Sequence, residues 1–146
     1  MITIEKAVPG DFPALVDLWE GSVRATHDFL TEEDIAFFRN GLLNEWLEAV
    51  GPYCARNDDG EILGFVAVVE GNIEMLFIDA SRRGQGVGKA LFNFARTSLQ
   101  ATKVDVNEQN RQGVDFYRHI GFDVIGRSEK DSTGKPYPLL HMQLSA

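Results

Sequence analysis

The chain has one cysteine in 146 residues, Cys54. No intramolecular disulfide can form, which suits a reducing compartment. Within Pro52-Tyr53-Cys54-Ala55 that thiol reads as a small buried hydrophobe rather than a nucleophile. Basic residues are also scarce: 14 Lys and Arg stand against 22 Asp and Glu, a net charge of −8. That balance excludes a protein that wraps nucleic acid, whose phosphates demand clustered cations. It suits a cationic substrate such as an amine, although solubility alone also favours acidic surfaces. No apolar run approaches the roughly 20 residues of a membrane helix. The segment Met1-Ile2-Thr3-Ile4-Glu5-Lys6 alternates like a strand and lacks the layout of a signal peptide. A cytoplasmic protein is expected, with no membrane or nucleic-acid partner and no metal site. Repeats, low-complexity tracts and linkers are absent as well. With 44% hydrophobic residues, the length fits one domain over 1–146, as a monomer or homodimer.

What is present is a change of period along the chain. After a first strand at Ile2, Ile4 and Ala7, Pro9-Gly10-Asp11 breaks the pattern. Asp11 is expected to cap a helix that has Pro13 in its first turn and Phe12, Leu15, Val16, Trp19 and Val23 on one face. Thr31-Glu32-Glu33-Asp34 resembles a capping box and opens a second helix striped by Ile35, Phe38, Leu42, Trp46 and Val50. Strands follow at Tyr53 to Arg56, Ile62 to Val69 and Ile73 to Ile78, separated by Asn57-Asp58-Asp59-Gly60 and Gly71-Asn72 turns. A helix is expected from Val87 to Leu99, a strand from Lys103 to Val106, and a helix from Arg111 to Ile120 closed by Gly121. Phe122 to Arg127 and Tyr137 to Leu144 form a last strand pair. The order β α α β β β α β α β β is α+β with a mixed sheet, not the strict alternation of a doubly wound fold.

Between the third of these middle strands and the following helix lies Arg82-Arg83-Gly84-Gln85-Gly86-Val87-Gly88-Lys89. Amides at a helix start have no intrahelical acceptor and carry partial positive charge, so together they hold phosphate oxygens. Glycine lets the backbone approach without a Cβ in the way. The spacing is not a Walker A loop: Ala90 follows Gly88-Lys89, and no glycine stands five positions before Gly88. Nor is it G-x-G-x-x-G, because the three glycines read G-x-G-x-G. A glycine-rich turn with basic residues for solubility remains the bland alternative.

Arg83-x-x-Gly86-x-Gly88 matches the Q/R-x-x-G-x-G/A signature of the GNAT acetyltransferase superfamily, and it follows a strand, Leu76-Phe77-Ile78, similar to that family's fourth. Downstream, Val106-Asn107-Glu108-Gln109-Asn110, Phe116-Tyr117 and Gly121-Phe122 resemble its second motif. The resemblance spans essentially the whole chain. It implies a central mixed, mostly antiparallel sheet of about seven strands flanked by four helices. It implies acetyl-CoA as co-substrate and direct attack by an amine in a ternary complex. Segments Ala25 to Leu30 and Gly134 to Leu140 further resemble bacterial members that acetylate lysine side chains.

On that resemblance, backbone groups of Leu76, Phe77 and Ile78 pair with the pantetheine arm, as a strand edge pairs with an extended ligand. Arg83, Gly84, Gln85, Gly86, Val87, Gly88 and Lys89 hold the pyrophosphate, and Asn107 and Asn110 complete the cofactor site. A backbone N–H near Phe77 polarises the thioester carbonyl. Tyr117, seven residues after Asn110, is the general acid, since a phenol is protonated at neutral pH. An ammonium acceptor must also lose a proton. Asp105 and Glu74 rank first as bases, ahead of His27 and Asp28; family members that acetylate ribosomal proteins carry a glutamate near the place of Asp105. Thr26, His27, Phe29 and Tyr137 would line the acceptor side. Acetylation of a protein lysine or N-terminal amine is the leading reading; acetylation of a small amine, a silent acetyl-CoA sensor and an interaction protein with a chance glycine loop are the competing ones.

Overall fold

A computed structural model describes residues 1–145. The chain runs β1 (Thr3–Lys6), α1 (Phe12–Thr26), α2 (Glu32–Gly41), a π-helical turn (Leu42–Trp46), α3 (Leu47–Val50), β2 (Tyr53–Arg56), β3 (Ile62–Val69), β4 (Asn72–Ile78), α4 (Val87–Ser98), β5 (Lys103–Asn107), α5 (Arg111–His119), β6 (Phe122–Ser128) and β7 (Leu139–Leu144). The seven strands form one sheet in the order β1-β2-β3-β4-β5-β7-β6. Every neighbouring pair is antiparallel except β4 with β5.

Alternation along the strands builds two cores. On one face Cys54, Phe65 and the α1 residues Leu15, Val16 and Trp19 meet Ile35, Leu42 and Leu47 of the second helical rod. On the other, Ala55, Val66, Ile73, Val104 and Met142 meet Leu91, Phe92 and Ala95 of α4 and Val114 and Tyr117 of α5. Cys54 is fully buried, and burial pushes its thiol up to about 11, as an inert packing role requires.

Four local expectations are corrected. Asp11 precedes α1 but makes no cap bond there; its carboxylate accepts from the Val8 amide at 3.0 Å and from Arg56 at 2.9 Å. Thr31 does cap α2, accepting from the Asp34 amide at 3.1 Å. The reciprocal half of the box is absent, because Asp34 is engaged by Lys135 and Tyr137 from the far end of the chain. The long apolar stripe of the second helix is interrupted by the π turn. There Trp46 folds back over Gly41, where a Cβ would stand 2.4 Å from the indole, so only glycine fits beneath the ring. The last strand begins at Leu139 rather than Tyr137, as Pro136 and Pro138 cannot donate to a ladder.

Two irregularities open the sheet. Between the pairs Ala67–Met75 and Val68–Ile73, Glu74 is an extra residue on β4, a bulge. Beyond it β4 leaves β5, with which it pairs only at Asn72–Lys103 and Ile73–Val104. The two strands therefore splay, and their unpaired edges face one another.

Candidate active site

A cavity of about 750 Å³ fills the splay. Its walls are β4 from Ile73 to Ile78, β5 from Val104 to Asn107, and the α5 residues Gly113, Phe116 and Tyr117. On the helical side it is closed by Trp19, Thr26, His27, Phe38, Leu42 and Trp46. One edge of β4 is spent on β3 and the other is free, and the ladder shows which residues face which way. The Asp79 amide donates to the Leu63 carbonyl at 2.8 Å. In an antiparallel pair such bonds recur at every second residue, so Phe77 opposite Phe65 and Met75 opposite Ala67 also turn their amides to β3. The N–H and C=O groups of Leu76 and Ile78 point into the splay. This corrects the expectation for Phe77: its backbone belongs to the β3 ladder, and its side chain packs with Phe65, ring centres 5.7 Å apart.

At the end of β4 the glycine segment turns into α4. Gly84 and Gly86 adopt φ of +76° and +83°, and a Cβ on either would meet no protein atom within 4 Å. Gly86 sits immediately before the first turn of α4, which holds no acidic side chain. Gly88 lets α4 sit close beneath β4, since a Cβ there would stand 2.8 Å from the tip of the Ile78 side chain, which would have to shift. An open, amide-lined concavity at a helix start fits phosphate oxygens. The expected basic residues divide. Arg82 turns away to Glu61 at 3.2 Å. Arg83 lines the cavity and donates to the Gln112 side chain at 2.6 Å, and Lys89 is exposed.

Asn107 ends β5 and lines the cavity, as does Asn110. Asn110 also caps α5, its Oδ1 accepting from the Gly113 amide at 3.1 Å, which leaves its amide N–H groups for a ligand. Tyr117 lies on α5, 6% exposed, its ring edge-on to Phe116 at 5.2 Å and to Phe122 at 5.4 Å. Burial alone raises its phenol above the ordinary value. No buried side-chain polar atom lacks a partner among the described residues, so the hydroxyl end opens on the cavity that Tyr117 lines.

Glu74 and Asp105 both line the cavity, joined through Asn72, whose amide nitrogen donates to Glu74 Oε2 at 2.9 Å and lies 3.4 Å from Asp105 Oδ2. Burial first, and the neighbouring Asp105 charge as well, raise the Glu74 carboxyl above the usual range, against the Asn72 bond. Asp105 stands mid-strand, because β5 runs on to Asn107. Its other oxygen, Oδ1, lies 2.6 Å from His141 Nδ1 on β7, and His141 Nε2 lies 2.6 Å from Ser128 Oγ on β6. Neither Asn72 nor His141 is singled out by spacing. His141 is visible only as the polar member of an alternating strand whose next residue, Met142, is core.

His27 closes α1 and lines the cavity, 6% exposed, with Nδ1 2.7 Å from Thr26 Oγ1. Its ring stacks near Phe29 at 5.3 Å. Burial, helped by the Arg83 charge, pushes its pKa down to about 4. The unfolded chain therefore binds the extra proton between about pH 6.5 and 4, and stability falls as pH falls through that window. Urea unfolding at pH 7.5 and 4.5 should show native protein losing about 2 kcal/mol more than His27→Gln; equal losses would exclude a buried neutral imidazole. Asp28 is exposed beside it and does not line the cavity. Tyr137 lines the cavity, packs on Phe29 at 5.7 Å, and donates its hydroxyl to Asp34. Lys135 pairs with the same carboxylate at 2.9 Å, so the loop before β7 is pinned to the start of α2. Among the described residues no three His, Cys, Asp or Glu side chains gather as a metal site, and no helix is long and apolar enough to cross a membrane.

The chain is 41% identical to the peptidyl-lysine N-acetyltransferase YjaB of Salmonella typhimurium, over 97% of each chain. The solution structure of apo-form YjaB from Escherichia coli superposes with a TM-score of 0.92 at 37% identity, covering 100% of this chain and 99% of that one. The PaiA N-acetyltransferase of Thermoplasma acidophilum, crystallised with coenzyme A, shares the fold with a TM-score of 0.72 at 20% identity, over 99% of each chain. The family model for the acetyltransferase (GNAT) domain matches residues 35–145. With its splayed β4–β5 pair and glycine turn into α4, this chain belongs to the GNAT acetyltransferase family.

Proposed function

We propose that the protein transfers the acetyl group of acetyl-CoA to the side-chain amine of a lysine in a protein, by direct attack in a ternary complex. The observation that carries this reading is the cavity in the splay, with a phosphate-fitting glycine turn at one end and two carboxylates on its wall. The likeness to peptidyl-lysine N-acetyltransferases supports the choice of acceptor.

The pantetheine arm pairs with the free edge of β4 through Leu76 and Ile78. The pyrophosphate rests on the amides of Gly84 to Lys89, with Arg83 beside it. Asn107 and Asn110 hold the cofactor from the β5 side. A splay-facing amide of Leu76 or Ile78 receives the developing charge on the thioester oxygen. Glu74 and Asp105 attract the lysine ammonium and take its proton, directly or through water. The freed amine nitrogen bonds to the acetyl carbon, the carbon–sulfur bond breaks, the Tyr117 hydroxyl gives its proton to the departing thiolate, and the second proton shed by the nitrogen returns through water to the Tyr117 oxygen. His27 is a wall of the acceptor slot with Thr26 and Tyr137, and Phe29, which does not line the cavity, packs behind both rings; at pKa about 4 His27 takes no proton from an ammonium.

Thiol release from acetyl-CoA against a panel of lysine peptides, free N-terminal peptides and small amines tests the reading. Turnover is expected on lysine peptides. Turnover confined to small amines would move the acceptor class. Stabilisation by acetyl-CoA without turnover on any amine would leave a sensor, and no thermal shift at millimolar acetyl-CoA would sink the cofactor site.

A further inference from the structure

Four adjacent strands contribute one unbroken row of polar side chains to the same face of the sheet. Asn72 and Glu74 come from β4, Asp105 from β5, His141 from β7 and Ser128 from β6, in the order in which those strands lie. Asp105 and His141 are direct cross-strand partners. Asn72 is paired with Lys103, two residues from Asp105, and Ser128 is paired with Leu139, two residues from His141, so both reach across diagonally. Gly126 lies opposite His141 on β6 and leaves the imidazole room beside it.

We propose that His141 is a positioning residue for Asp105, with Ser128 as its brace; this rests on Asp105 acting as a proton acceptor. A carboxylate oxygen can only accept, so His141 Nδ1 carries the hydrogen of the 2.6 Å contact with Oδ1. Nε2 is then the acceptor for the Ser128 hydroxyl at 2.6 Å, which fixes the ring from its far side. With Oδ1 held, Oδ2 stays turned to the side of Asn72 and Glu74, where the splay opens. A carboxylate without this grip has two torsions to explore, and its reacting oxygen leaves the line of approach of the amine. Misplacement of a reacting group by about 1 Å can cost about 10²-fold in rate. His141 does not line the cavity, so it touches neither substrate and acts only through Asp105.

The first test needs no acceptor. Long-range ¹⁵N–¹H NMR of the native protein, which has only three histidines to assign, should show His141 as the Nδ1–H tautomer. An Nε2–H tautomer overturns the proposal. The second is a double-mutant cycle with a lysine peptide. His141→Ala should lower kcat about 10- to 100-fold, with the KM for acetyl-CoA within about two-fold of native. His141→Asn, which keeps an N–H close to Nδ1, should recover most of the rate. In an Asp105→Asn background, adding His141→Ala should cost less than about two-fold more; a full-sized further loss overturns the proposal. Native turnover in Asp105→Asn removes Asp105 as acceptor, and the proposal with it. Asp105→Asn inactive beside His141→Ala at native kcat overturns the positioning role alone.

Discussion

Tyr117→Phe is expected to bind acetyl-CoA with native affinity and to turn over about 10²- to 10³-fold more slowly, within the range of a positioned general acid. The substitution removes one oxygen and leaves the ring, whose edge-on contacts with Phe116 and Phe122 fix the start of β6 against α5. Packing is therefore conserved, and the hydroxyl that is lost opens on the cavity rather than serving the core. Burial raises the phenol, so the group keeps its proton at neutral pH and meets the departing sulfur in its protonated form. His27, the neutral imidazole on the opposite wall, has little proton to give at pH 7 and its Nδ1 is engaged by Thr26. Single-turnover thiol release with saturating acetyl-CoA, beside a thermal shift for binding, separates the two effects. Turnover within about three-fold of native would remove Tyr117 from the acid role.

Legibility in the sequence follows the range of the interaction. Arg83 to Lys89 and Asn110 to Tyr117 act within a turn or two of their own backbone, so their types and spacing carry their geometry. The strand and helix order was readable for the same reason, since each element has its own period. What spacing does not hold is register. Asp105 meets His141 only because β7 inserts between β5 and β6, and no local pattern states which residue of β7 stands opposite. The backbone direction at Phe77 is of the same kind: it depends on the Leu63–Asp79 bond that sets the β3–β4 ladder. Asp34 shows tertiary contact overriding a local rule. As the third residue of α2 it was expected to close a capping box, yet Tyr137, 103 residues away, donates to it. The π turn has a similar origin, because Trp46 finds its place over Gly41 and the helix takes up an extra residue to put it there.

Gly86→Val should weaken acetyl-CoA binding at least about 100-fold while the chain still folds. Two effects act at that position, and a second glycine separates them. At φ +83° a β-branched residue is strained, which costs on the order of 1–3 kcal/mol of stability wherever it occurs. Gly60, in the β2–β3 turn, has φ +82° and equally open surroundings, but it stands at no helix start, whereas Gly86 is the N-cap of α4. Gly60→Val thus carries the same backbone penalty without touching the cofactor. At Gly86 alone the new side chain occupies the concavity at the start of α4 where phosphate oxygens would meet the amides. Losing two charge-assisted hydrogen bonds at about 1.5–3 kcal/mol each corresponds to more than a 100-fold change in Kd. Calorimetric titration with acetyl-CoA and urea unfolding of both variants read the two effects apart. Similar losses of stability with affinity lost only in Gly86→Val support the cradle. Native affinity in Gly86→Val would place the pyrophosphate elsewhere, and equal loss of affinity in Gly60→Val would trace the effect to the fold rather than to the site.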